Sequence, residues 1–127
     1  MLPSHPTLGA TLPSSGVGRA FALEVILTFL LMFVILNVST GHQEKGMMAG
    51  VAIGSTVALS ALFGGPVSGA SMNPARSIAP ALASGTCDHL WIYVTAPVLG
   101  MFLASPTCRW IQGSECAHCK SKEANDE

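Results

Sequence analysis

"GGPVSGASMNPARSIAPAL", residues 64–82, decides how this chain is read. It is rich in Gly, Ser and Pro and carries a fixed cation, Arg76, yet apolar sequence closes in on both sides. "GGPVSG" after Phe63 is poor helix material. From Asn73 onward the signals reverse: Asn73 suits an N-cap, Pro74 the first helical position and Gly85 the stop. The stretch predicts a helix over residues 74–84, which at 1.5 Å per residue is about 16 Å long, half the hydrocarbon thickness of a bilayer. Such a helix is too short to span.

Working outward, the chain has 127 residues, half of them apolar and only 10% charged, with a formal net charge of −1. Its mean hydropathy is +0.51. Soluble domains carry about 25% charged residues, so too few charges are present to cover a water-facing surface. Between Ala20 and Thr86 the ionisable acids and bases, histidine aside, are Glu24, Glu44, Lys45 and Arg76. Three apolar segments are expected to cross a membrane: about 20–38, 47–63 and 90–110. Trp91 and Tyr93 at one end of the third, and Trp110 at the other, are placed as interfacial anchors. Small residues recur every four positions, Gly50 and Gly54 in the second segment and Ala96, Gly100 and Ala104 in the third, a spacing that lets helices approach closely in lipid. Residues 1–18 have no basic cluster before an apolar run and are expected to be a flexible lead-in rather than a signal. Residues 19–112 form the transmembrane domain and 113–127 a flexible polar tail. Counting Lys and Arg near the segment ends puts the 39–46 link and the C-terminus in the cytoplasm and the N-terminus outside.

A short helix at membrane depth must be re-entrant, and the extended backbone before it is tolerated only where it is buried in protein or lines a watery cavity. Its N-terminus would then aim a positive dipole end at that cavity, with the Asn73 amide as a donor beside it. Arg76 adds a permanent cation with several donors. Together these favour neutral hydrogen-bonding solutes and oppose cations and protons. The competing reading is an exposed loop with a surface helix and a solvated Arg76.

"SGASMNPARS" resembles the second NPA loop of the major intrinsic proteins, the aquaporins and aquaglyceroporins. The small-residue helix before it and "HLWIYVTAPVLG" after it agree with that family, and the likeness covers roughly residues 17–112. It extends to the C-terminal half only: three transmembrane helices and one re-entrant NPA half-helix, an all-α membrane fold, one of two inverted repeats. The loop is most like those of nodulin-26-like and bacterial members. The resemblance implies that Asn73, Pro74 and Ala75 form the NPA triplet and that Arg76 is the constriction arginine. It implies that Ala61 and Ala70 also border the constriction and that Gly69, Ala70 and Ser71 present carbonyl acceptors. Glu24, costly inside a span by about 2.5–3.5 kcal/mol, would brace the loop by accepting its N–H groups. Two alanines at the constriction favour glycerol-like solutes, whereas Ser77, Ala81 and Tyr93 look more like water-channel positions.

Other chemistries have little support. No basic stripe is present for nucleic acid, and no nucleophile–base pair or phosphate loop appears, so neither an enzyme nor a cofactor is expected. "CAHC", residues 116–119, has metal-like spacing, but only one such pair exists and a structural zinc site wants two. The reading is therefore a multi-pass protein of a plasma or bacterial inner membrane. It acts as a channel or half-channel for water or small neutral solutes such as glycerol. It would be partnered by lipid and by a complementary first-half repeat or a further copy of itself. The alternative is a truncated, non-conducting protein that keeps the half-channel fold.

Overall fold

The computed structural model describes residues 9–39 and 43–112. Among these the architecture is all-α, with α1 at Val17–Ser39, α2 at Gln43–Ser68, α3 at Pro74–Ser84 and α4 at Leu90–Gln112. Three of the four are long and apolar enough to cross a membrane: Val17–Val38, Met48–Ser68 and Leu90–Ile111. α1 is central, packing against α4 on one side and α2 on another, while α3 lies on α4.

The α1–α4 contact rests on absent side chains. Ala96, Ala104 and Cys108 are fully buried, each four or eight residues from Gly100 on the same face of α4. A Cβ built on Gly100 would stand 2.5 Å from the Val25 carbonyl oxygen and 2.9 Å from the Phe29 nitrogen. The helices therefore meet backbone to backbone, which in lipid substitutes dispersion for the missing hydrophobic drive. The other small-residue stripe behaves differently. A Cβ added at Gly50 or Gly54 would meet nothing within 4 Å, so the expected helix contact there is absent among the described residues.

Two further expectations are corrected. α2 does not stop at Phe63 but continues through Gly64, Gly65 and Pro66 to Ser68. Gly64 fits closely there: a Cβ would press on the flexible end of the Leu27 side chain and lie 3.2 Å from Ala70 Cβ. The turn is also closed from the side, as the Gly69 N–H donates to the Gly65 carbonyl at 3.0 Å. Tertiary packing thus outweighs the poor helix propensity of the segment. Tyr93 is not an interfacial anchor: it is fully buried, whereas Trp91 and Trp110 are exposed. The 40–42 part of the polar link and the tail with Cys116, His118 and Cys119 lie outside the described residues.

α3 follows its local signals closely. Asn73 caps it with extended backbone, φ −150°, and its side chain accepts from the Ala75 N–H. Gly85 ends it in the left-handed region at φ 69°, where a side chain is disfavoured. Asn73 shares a groove with Thr28, which stands 11 residues from each end of α1 (Val17 to Thr28, Thr28 to Ser39). The 11-residue half-helix therefore begins beside the middle of a spanning helix, about 16 Å from either end.

Candidate solute site at the tip of the half-helix

The connection between α2 and α3, residues 69–73, has an unusual backbone. Gly69, Ala70 and Met72 have φ of 87°, 43° and 51°, and the left-handed region costs a non-glycine residue about 1–2 kcal/mol. Glu24, one turn into the apolar part of α1 and fully buried, holds this shape. Its Oε1 accepts from the Ser68 hydroxyl at 2.8 Å and the Ser71 N–H at 2.9 Å, and its Oε2 from the Met72 N–H at 2.9 Å. The Ser68 Oγ in turn accepts from the Ala70 N–H at 3.2 Å. Tyr93 closes the network from α4, donating its hydroxyl to the Ser68 carbonyl at 2.6 Å. A carboxyl group in an apolar span is thereby supplied with three donors, which answers the cost of burying it.

A second chain of bonds runs on the far side of Ser71. Thr11 and Ser77 hydroxyls stand 2.6 Å apart, as do those of Ser77 and Ser71, and the Ser71 hydroxyl donates to the Asn73 carbonyl at 2.9 Å. A hydroxyl has one proton, so with Ser71 committed to a carbonyl the order is fixed: Thr11 donates to Ser77, Ser77 to Ser71, Ser71 to Asn73. The segment before α1 thus lies across the connection, also through the Ser14 N–H on the Val67 carbonyl at 3.1 Å. Ala70 and Ser71 are 1% and 2% exposed. The row of open carbonyl acceptors expected over residues 69–71 is accordingly enclosed at these two positions. Ala70 Cβ packs near Leu27 and Met72 instead of opening to a passage.

The opposite side is open. Asn73, Ala75 and Arg76 are exposed and Pro74 is half-buried. Because Asn73 Oδ1 is turned to the Ala75 N–H at 3.0 Å, its amide NH₂ points away from the helix start and has no partner among the described residues. Asn73 and Pro74 line a groove of about 290 Å³ with Thr28, Leu31, Met32 and Ile35 of α1 and Pro97, Val98 and Met101 of α4. Its wall is apolar apart from Asn73 and Thr28. Ala61 on α2 is exposed too, but no contact joins α2 to α3 among the described residues, so Ala61 and Arg76 are not brought together.

The connection thus presents a donor-tipped half-helix held beside the middle of α1 on a buried glutamate. The major intrinsic protein model matches residues 4–107. The chain belongs to the major intrinsic protein family. Aquaporin NIP1-4 of Oryza sativa subsp. japonica is 51% identical over 96 residues, which cover 76% of this chain and 35% of that protein. Nodulin-26 of Glycine max is 50% identical over 97 residues, 76% of this chain and 36% of that one. Aquaporin NIP6-1 of Arabidopsis thaliana is 45% identical over 105 residues, 81% and 34% respectively. The chain spans about a third of the length of these curated relatives.

In this major intrinsic protein, residues beyond those its sequence pattern points to lie at the groove and the connection. Thr28 lies four residues after Glu24, one turn along the same face, a spacing that marks it as a neighbour. Its Oγ1 is the buried side-chain oxygen left without a hydrogen-bond partner among the described residues. Ser68 carries no signal beyond its place in a Gly/Ser-rich run. Thr11 sits 66 positions from Ser77, a pairing that no local pattern encodes.

Proposed function

We propose that this chain forms one half of a transmembrane pore for passive permeation of water or small neutral solutes such as glycerol. The observation that carries the reading is the Asn73 amide. Its oxygen is tied to the Ala75 N–H, which leaves its two N–H bonds directed at an apolar groove beside the middle of α1. An apolar wall with a few fixed donors lets a solute exchange water for a protein hydrogen bond without binding tightly, while the α3 N-terminus and the exposed Arg76 repel cations. Gly69, Pro74 and Ala75 complete the path on this side, whereas Ala70 and Ser71, enclosed beneath residues 9–16, and Ala61, apart from α3, do not line it in this arrangement. The relatives named aquaporin support a channel rather than an enzyme. A complementary first repeat, or a further copy of this chain, would supply the other wall and cover the outward face of α2. The membrane is a plasma or bacterial inner membrane.

Stopped-flow swelling of liposomes holding the purified chain, alone and with a first-repeat polypeptide from a relative, tests this. Water or glycerol flux above that of empty liposomes, abolished by Asn73→Asp, supports the pore half. Flux equal to that of empty liposomes in both preparations favours a non-conducting protein that keeps the fold.

A further inference from the structure

The face of α4 that looks away from α1 carries a recess of about 490 Å³ formed by Phe102, Ser105, Pro106, Arg109 and Trp110. On a helical projection Phe102, Ser105, Pro106 and Arg109 share one side, half a turn round from the buried Ala96–Gly100–Ala104 stripe. The recess sits at the last two turns of a segment that ends its apolar run at Ile111, so it stands at headgroup level.

Three donors gather there without partners among the described residues. Elsewhere on α4, Thr95 and Thr107 return their hydroxyls to the carbonyls four residues back, each at 2.8 Å; Ser105 makes no such bond. Arg109 is exposed, and Trp110, 88% exposed, presents its indole to the outside. Phe102, 67% exposed, extends the recess toward the membrane interior. Guanidinium, hydroxyl and indole N–H groups suit a phosphate, and an apolar floor below them suits an acyl chain.

We propose that this recess binds the headgroup of an anionic phospholipid, Arg109 and Ser105 meeting the phosphate and Phe102 and Trp110 flanking its glycerol and upper acyl chain. The occupant is lipid because the recess lies near the end of a spanning helix, on the side turned away from α1, and because its charge is complementary to an anionic leaflet. The Lys and Arg count that puts this end in the cytoplasm agrees, since that leaflet holds the anionic lipid. The site is independent of whether the chain conducts.

The test uses Trp110 as its own reporter. The chain has two tryptophans, so a Trp91→Phe background isolates it. The full chain is reconstituted in phosphatidylcholine vesicles containing increasing fractions of phosphatidylglycerol brominated near the headgroup end of its chains, or phosphatidylcholine brominated likewise. Brominated phosphatidylglycerol should quench Trp110 with about fivefold higher apparent affinity, the worth of one basic residue at an anionic surface. Arg109→Gln should bring the two lipids level, Arg109→Lys should keep part of the preference, and Ser105→Ala should lower it about threefold. Raised salt should weaken it in the unmutated recess. Equal quenching by the two lipids would overturn the proposal. So would a phosphatidylglycerol preference that survives Arg109→Gln, since that would place the lipid contact elsewhere on the chain.

Discussion

The two sides of the 69–73 connection differ in one respect: whether their polar groups are satisfied. On one side Glu24, Ser68, Ala70, Ser71, Met72 and Tyr93 close a network of bonds between 2.6 and 3.2 Å. On the side facing the groove, the Asn73 amide is exposed with no acceptor among the described residues; the Arg76 guanidinium, on α3 and not among the groove's lining, is exposed as well. The same five residues of backbone therefore have a structural side and a side ready for a solute. Groups already paired hold the left-handed backbone in place; those left open are available to something that passes.

That contrast grades the effect of mutation. Glu24→Ala should be the most damaging change, because it strands two buried N–H groups in an apolar region and leaves the Ser68 hydroxyl only the Gly64 carbonyl, at 3.3 Å. A loss of about 3 kcal/mol or more is expected, read as a shift in the denaturant midpoint of the detergent-solubilised chain; a loss under about 1 kcal/mol would mean that the carboxylate does not hold the connection. Tyr93→Phe removes a single hydroxyl but leaves the Ser68 carbonyl buried and unmatched, so about 1–2 kcal/mol is expected by the same measurement. Ser77→Ala cuts the directed hydroxyl chain in its middle, at about 1 kcal/mol. It should also speed exchange of the Ala75 amide hydrogen as the α3 cap loosens, and unchanged exchange would show that the chain does not hold Asn73. Arg76→Gln, on the open side, should change stability by less than about 0.5 kcal/mol, while raising cation leak in any preparation that conducts. A large stability loss there would mean that the open side is structural after all.

How much of this is legible in the sequence follows the range of each signal. α3 is readable residue by residue, because its Asn cap, its Pro at the first position and its Gly stop act within one turn of themselves. The three spans are readable from length and charge. Gly100 and Gly54 show where that ends. Both sit in four-residue stripes of small residues, yet one lies against the Val25 carbonyl and the other meets nothing within 4 Å. Spacing announces that a helix can be approached closely but not which neighbour does so. The continuation of α2 through Pro66 is hidden for a similar reason. Gly64 and Ser68 are weak helix residues in isolation and become favourable only once Leu27, Glu24 and Tyr93 are packed around them. Ala70 is placed by resemblance at a constriction, but it is 1% exposed and packed on Leu27 and Met72 with a φ of 43° that no sequence pattern reveals. The spacing of Thr28 from Glu24 shows its neighbourhood but not its open hydroxyl, because a threonine on an apolar helix ordinarily bonds its own backbone, as Thr56 does to the Ala52 carbonyl at 2.8 Å.

The depth of the start of α3 separates a half-helix that opens onto water from a helix lying on the surface. A nitroxide attached to Ala75→Cys, in a chain whose four native cysteines are replaced by serine or alanine, reports this in reconstituted bilayers. Ala75 is exposed, and only its N–H serves the cap. The label should sit near the bilayer midplane and yet collide readily with a neutral, water-soluble nickel chelate. A label found at headgroup depth, or at the midplane but reached by dissolved oxygen alone, would contradict a half-helix that opens onto water.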